Sequence, residues 1–476
     1  MADAFNDRFM RQARVFSEER RRNTGLLVLN SGAVPDFTRT LLAGAAAMGI
    51  PWIAVDDVNP TARASHHWLH GSWRTLVARI DKSIEFLVAA DSLPLEDQRQ
   101  VTGREALWSV VVVRRSADPA MRALTLTNRV LLVGFGRSRL CVFRITSVDD
   151  LSKAIATLES AGCLDTAGAP LELCMVAAGI CLDAIVRAQN GPAAPDELAF
   201  YDLALPRRVM PENADSANSA PGAAGGAPGA VSLPAALFKG RQLAIVGAGA
   251  LANWAVLAPA LEGAHLDIYD GDPEVAPHNL NRQILLIDGV GTGLSKVEVL
   301  AREIRRMVPG ASVRAYDRYI HRPGDFETLE NIDALLCLPD NDEARLLCAD
   351  VAHARGIVYA TAGSSAFGGQ AVIVQPGRAC YRCVAVRGND PPRAAAGSCA
   401  AEASDAIVSC NMVAAGLLIS ELRQAFAGCR SANLRFVATA PRGNRLDRMI
   451  ADPPCPHIVC PTNARARGAG SNGVTT

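Results

Sequence analysis

The chain carries no net charge: 48 Lys and Arg balance 48 Asp and Glu over 476 residues. A protein that grips nucleic acid or an anionic membrane through bulk electrostatics shows a basic surplus or a polybasic run, and the absence of both excludes these partner classes. No apolar run approaches the length of a membrane span. The opening MADAFNDRFMRQARVF has no apolar core of signal-peptide length, which implies a cytoplasmic protein. A disulfide framework is missing too: 13 cysteines, an odd number scattered over a long chain, read as thiols, most of them small buried residues. What remains is globular, with 49% hydrophobic residues and a length that allows about two to four domains.

Residues 211–235, PENADSANSAPGAAGGAPGAVSLPA, are rich in Ala, Gly, Pro and Ser and have the composition of a flexible linker. They separate residues 1–210 from residues 236–476, two blocks of domain size. The blocks read as copies. Residues 25–57 and 242–272 both run through an apolar strand, a turn, a helix, an apolar strand and an acidic pair. The letters MVAAG recur at 175–179 and 412–416 in the matching place of that order, so duplication accounts for them. The first copy has Asn30, Ser31, Gly32 and Ala33 in place of a glycine pair and is expected to be inactive.

In the second copy an apolar strand, residues 243–246, enters Gly247 and Gly249, with Ala252 in the place of a third glycine at a helix–sheet contact. Such a turn leaves helix N–H groups facing phosphate. Asp270 closes the next strand, IYD, where a carboxylate accepts from ribose hydroxyls, and Asp272 follows. An NAD-dependent oxidoreductase would share everything so far. It does not require the segment NLNRQ, with Asn279, Asn281, Arg282 and Gln283, followed by Lys296. Two cations and several amides beside a ribose site point to a triphosphate. Asp340 and Asn341 follow a later apolar strand, ALLCLP.

The order GxGxxGN (ending at Asn253), DxD, NLNRQ, Lys and DN resembles the ubiquitin-activating (ThiF/MoeB-like) superfamily of adenylating enzymes over residues 240–460. It most resembles the activating enzymes of bacterial ubiquitin-like conjugation operons associated with defence against phage. The resemblance implies an α/β fold: two tandem Rossmann-like adenylation domains, one degenerate and one active, forming a monomeric pseudo-dimer. It also implies that the C-terminal carboxylate of a ubiquitin-like protein attacks the α-phosphate of ATP. Arg282 and Lys296 would offset phosphate charge, and Asp340 would hold magnesium beside Asn341. Arg8, Phe9, Met10, Arg11 and Gln12 resemble the RYxRQ motif of homodimeric relatives, whose second arginine crosses to the partner's nucleotide. Arg11 is therefore expected to serve the second half from the first. The competing reading places Arg8 and Arg11 on a solvated amphipathic helix.

Cys380 and Cys383, with Cys455 and Cys460, correspond to the two zinc-binding pairs of the family, a closed structural site. The second pair is spaced CxxxxC rather than CxxC, which leaves His457 as a substitute ligand and buried thiols without metal as the alternative. Between the pairs, residues 385–409 read as a mobile loop. Cys399 stands there where relatives carry a cysteine that would hold the modifier as a thioester before a ubiquitin-conjugating-like enzyme receives it. Cys410 is its rival, at a position that caps a helix in relatives. Three further readings stay open: an enzyme that stops at the acyl adenylate, adenylation of a sulfur-carrier protein for cofactor biosynthesis, and a non-catalytic scaffold, which suits residues 1–210 alone.

Overall fold

The computed structural model describes residues 8–9, 12–13, 16–29, 31–56, 72–88, 106–113, 129–136, 139–164, 169–187, 199–202, 236–327, 329–366, 368–378, 380–385, 407–429, 434–439 and 443–448. The expected linker at 211–235 lies outside them. The first half runs α1 (Glu18–Asn23), β1 (Thr24–Leu29), α2 (Pro35–Ala47), β2 (Trp52–Val55), α3 (Trp73–Ile80), β3 (Glu85–Val88), β4 (Ala106–Val113), β5 (Val130–Phe135), β6 (Arg139–Ile145), α4 (Val148–Ser160), α5 (Leu171–Arg187) and β7 (Ala199–Asp202). The second begins β8 (Gln242–Val246), α6 (Ala250–Ala255), α7 (Leu257–Glu262), β9 (His265–Asp270), α8 (Lys296–Met307), β10 (Ser312–Asp317) and β11 (Ala334–Cys337). It continues with α9 (Asp342–Arg355), β12 (Val358–Ser365), β13 (Gly368–Val374), α10 (Tyr381–Ala385), α11 (Val408–Phe426), β14 (Leu434–Thr439) and β15 (Gly443–Arg448).

Strand order makes the duplication explicit. The first sheet is ordered β3-β2-β1-β4-β5-β6-β7 and the second β10-β9-β8-β11-β12-β13-β14-β15. Counted from the first strand of each half, both read 3-2-1-4-5-6-7, with one strand added in the second. In each sheet the first five strands of the half pair in parallel and the later ones antiparallel. Both halves are therefore Rossmann-like α/β units. All six residues of β1 are buried, as are the last four of β8, because a central parallel strand is covered on both faces. Strand order reverses between β8 and β11, and the crevice beyond the carboxyl ends of strands at such a point is where α/β sheets take ligands.

The halves meet through α5 and α11, the helices that carry the two MVAAG runs. A Cβ on Gly179 would stand 2.7 Å from the Ser409 carbonyl oxygen and 2.7 Å from Val413 Cγ2. One on Gly416 would stand 2.7 Å from the Glu172 carbonyl oxygen and 2.7 Å from Val176 Cγ2. Each glycine thus faces the residue that lies three before the other run, the reciprocal pattern of a two-fold contact. Glycine is needed here because the helix backbones touch. Beside this seam Arg423, buried on α11, donates Nε to Glu172 Oε1 at 2.6 Å and pairs with Glu262. Burial opposes the guanidinium charge, and the two carboxylates outweigh it and raise its pKa. α11 begins at Val408, so Val408 and Ser409, expected in a loop, are helical. Among the described residues no helix is long and apolar enough to cross a membrane.

Candidate functional site

The glycine turn sits at the end of β8. Gly247 has φ +98°, and a Cβ there would meet Pro339 N at 3.1 Å, so the close approach of the segment after β11 and the left-handed backbone both call for glycine. Gly249 is the N-cap of α6, makes no side-chain capping bond, and a Cβ on it would meet nothing within 4 Å. Open space therefore lies where a phosphate would approach the helix N-terminus. Asn253, fully buried, ties the turn down. Its Nδ2 donates to the carbonyls of Ala248 (3.2 Å) and Gly249 (2.9 Å), and its Oδ1 accepts from Leu285 N at 2.8 Å. These bonds make it a strut between the turn and the segment after NLNRQ.

The acidic pair closes the same end of β9. Asp270 accepts from Ala248 N at 2.6 Å through one oxygen and from Asp272 N at 2.8 Å through the other. Each oxygen keeps a second lone pair, which suits ribose hydroxyls. Burial pushes the Asp270 carboxyl above its ordinary value, against the pull of those two amides. Asp272 pairs with the Lys296 ammonium and accepts from Tyr319 Oη at 2.6 Å. Burial works to raise this carboxyl as well, but the hydrogen bonds from Lys296 and Tyr319 and the lysine charge outweigh it and hold it below the ordinary range. Lys296, 8% exposed, is fixed at the first position of α8 by a capping box of Ser295 and Glu298 and by its own N–H to the Asp272 carbonyl at 3.1 Å.

The NLNRQ segment contributes buried amides. Asn279, Asn281, Arg282 and Gln283 are each at most 5% exposed. Arg282 donates to the His278 carbonyl at 2.9 Å and to Asn281 Oδ1 at 2.8 Å, while Asn281 Nδ2 and Gln283 Oε1 are buried without a hydrogen-bond partner. Buried polar atoms left unpaired are costly and fit a site completed by a ligand. Asp340 is exposed just beyond β11. Asn341, expected beside a metal, instead caps α9, its Oδ1 accepting from Ala344 N at 2.8 Å.

The first half has a corresponding frame at its own turn. Asp56 at the end of β2 accepts from Ser31 N at 3.0 Å, as Asp270 does from Ala248, but also from Ser31 Oγ at 2.8 Å. Asp36 lies in the first turn of α2 and would repel phosphate.

Arg11, Cys399, Cys455 and Cys460 lie outside the described residues. Arg8 is buried rather than on a solvated face: its Nη1 donates to the Ile80 carbonyl at 3.1 Å and pairs with Asp81 at 3.3 Å, and Gln12 Nε2 likewise donates inward, to the Met48 carbonyl at 2.9 Å. Carbonyls at helix ends attract cations, so these polar heads go inward. Cys410 is fully buried inside α11, its thiol directed to the Ala366 carbonyl at 3.8 Å, and burial raises its pKa strongly. It neither caps the helix nor has the exposure of a nucleophile. Cys380 and Cys383 place their sulfurs 3.7 Å apart. Thiolates on a tetrahedral zinc with bonds of about 2.3 Å stand roughly 3.8 Å apart, so this pair fits one edge of such a site. Among the described residues no three His, Cys, Asp or Glu converge as a metal site.

Sequence reasoning missed Tyr319. It is 54% exposed, its ring covers Gly271, and its hydroxyl reaches Asp272. No local spacing signals it, because it arrives from the loop after β10, 47 residues away.

Residues 235–457 match the sequence model of the ThiF family. The SAMP-activating enzyme E1 of Haloferax volcanii is 29% identical over 150 residues, which are 32% of this chain and 55% of that relative, so the chain spans about half the length of the curated relative it matches. Two solved structures of E. coli MccB, one with succinimide and one with AMPCPP and MccA, are 20% and 21% identical, each over 47% of this chain and 67% of theirs, with a TM-score of 0.39. The glycine turn, the acidic pair, NLNRQ and Lys296 all fall within the span that matches the ThiF family.

Proposed function

We propose that this chain uses ATP to adenylate the C-terminal carboxylate of a small ubiquitin-like protein, then takes the acyl group onto a cysteine and passes it to a conjugating enzyme. The observation that carries the reading is the hydrogen-bonded frame in which Asn253 and Asp270 grip the glycine turn while Lys296 and Asp272 close its flank. Residues 1–210 are the degenerate adenylation domain, 211–235 the linker and 236–476 the active domain. Asp270 receives the ribose hydroxyls, and the α6 N-terminus with Arg282 and Lys296 faces the phosphates. ATP displaces Lys296 from Asp272, trading one anion for another. A carboxylate oxygen of the modifier attacks the α-phosphorus, the bond to the β-phosphate oxygen breaks, and pyrophosphate leaves. The Cys399 thiolate then attacks the acyl carbon and AMP leaves.

Arg11 would supply a further cation from the first half; Arg8 and Gln12, which flank it in sequence, are anchored there. Asp340 and Asp272 would hold magnesium, which would supply positive charge to offset that of the phosphates. Zinc, held by Cys380, Cys383, Cys455 and Cys460, would fasten the C-terminal segment to α10.

The test uses the full chain, magnesium, ATP, labelled pyrophosphate and a ubiquitin-like protein with a free C-terminal glycine. Exchange of label into ATP is expected for wild type and should fall about a hundredfold or more in Lys296→Ala. Exchange at the wild-type rate in that variant removes the assignment. Cys399→Ala should retain exchange and lose the thiol-sensitive conjugate.

A further inference from the structure

The second half's segment after NLNRQ is a 3₁₀ turn, Ile284–Gly289, with Ile284, Leu285, Leu286 and Gly289 buried. Its packing is tight: a Cβ on Gly289 would meet Val299 at 2.8 Å and Val275 at 2.9 Å. Its Leu285 N–H is the donor that Asn253 Oδ1 receives, and the same Asn253 side chain holds the two carbonyls of the glycine turn. One end of this turn is thus wired to the nucleotide site. The other end is held from across the molecule. Arg79 of α3, in the first half, donates Nε and Nη2 to Asp288 Oδ2 at 3.0 and 2.6 Å, and Nη2 also to Glu303 Oε2 at 2.6 Å. Glu303 is 2% exposed on α8, the helix that begins with Lys296, and Arg302 of that helix donates to the Asp288 carbonyl at 2.9 Å.

We propose that Arg79 is a positioning residue for the nucleotide site of the other half: by clamping Asp288 to Glu303 it fixes the 284–289 turn, and through Leu285 and Asn253 it sets the phosphate-facing glycine turn. This assigns the first half a task in its partner's site besides the expected Arg11. A planar guanidinium spans two carboxylates at once, which an ammonium on one point does less well, so the role is specific to arginine. The proposal rests on the reading of that turn as an ATP site, but the mechanical link does not.

The experiment measures two quantities on the full chain: affinity for ATP with magnesium by calorimetry, and amide hydrogen exchange across residues 247–253 and 283–289. Arg79→Ala should weaken ATP binding about tenfold and speed exchange at Leu285 and the turn, with exchange in β1 and β4 unchanged. Arg79→Lys should recover part of both. Asp288→Asn, altering a half-exposed carboxylate, carries the same test if Arg79→Ala does not fold. Unaltered protection at Leu285 overturns the proposal, and so does faster exchange with unaltered ATP affinity. Failure of wild type to bind ATP refutes the nucleotide reading instead, and the Leu285 exchange then still decides whether the clamp exists.

Discussion

Replacing Gly416 by alanine gives two opposite forecasts, depending on whether the α5–α11 seam is as close as described. In an isolated helix interior, alanine is more stable than glycine by about 1 kcal/mol, so without the seam Gly416→Ala is stabilising. In the seam, the new Cβ would stand 2.7 Å from the Glu172 carbonyl oxygen, 2.7 Å from Val176 Cγ2 and 3.2 Å from Val176 N. Comfortable carbon contacts need about 3.5 Å, so the helices must part by several tenths of an ångström. Two of the three obstructing atoms are backbone and cannot rotate away. Overpacking of this kind costs about 1–3 kcal/mol, and the rigid partner argues for the upper part of that range. The net is a loss of roughly 1–2 kcal/mol per glycine, and the reciprocal Gly179→Ala should match it because its contacts repeat to within 0.1 Å. For a cooperative unit of this size the Tm falls by about 2–4 °C per kcal/mol, so the double variant should melt roughly 5–15 °C below wild type. Gly324→Ala, where a Cβ meets nothing within 4 Å, serves as the control and should stay within about 0.5 kcal/mol of wild type. A rise in Tm for either seam variant refutes the close approach and the pseudo-dimer built on it.

Three further outcomes follow from the site. Asn253→Ala strips the acceptor from the buried Leu285 N–H and should cost about 1–3 kcal/mol in denaturant unfolding; a smaller change in midpoint means the strut is not made. Asp272 is held below the ordinary carboxylate range, so its pairing stabilises the fold above about pH 3.9 and is lost as pH falls through the lower folded value. Asp270, raised by burial, works in the opposite direction, so the informative quantity is the difference between Lys296→Met and wild type. That deficit should be present at pH 5 and shrink toward pH 2.5, and a constant deficit contradicts the ion pair. Iodoacetamide at pH 8 should modify Cys429, the partly exposed one among the described cysteines, long before the buried Cys410. Early labelling of Cys410 would reinstate it as a nucleophile.

Much of this architecture is written in local order. The apolar runs of β1 and β8, the turns after them and the acids that close β2 and β9 follow each other at short spacing, and the repeated MVAAG marks the seam because only a small residue lets two helix backbones touch. The capping box on Lys296 is local too. The rest depends on separations that no spacing encodes. Tyr319 reaches Asp272 across 47 residues and Arg79 reaches Asp288 across 209. Asn253 carries the same letter whether it contacts a nucleotide or braces a loop, and only its three bonds distinguish the roles. Asn341 and Asp340 are neighbours, and which one caps α9 depends on the backbone at the end of β11. Arg8 looks solvated in a run of charges, yet carbonyls at Ile80 and Ala46, folded beside it, draw it inward.

The central claim is that one half of a duplicated fold holds a nucleotide and the other, with Ser31 and Asp36 at its turn, does not. Calorimetric titration of the full chain with ATP and magnesium tests it directly. The account predicts one site per chain, lost in Lys296→Ala and unaffected by Asp36→Asn. Two sites per chain, or one that survives Lys296→Ala, would contradict it.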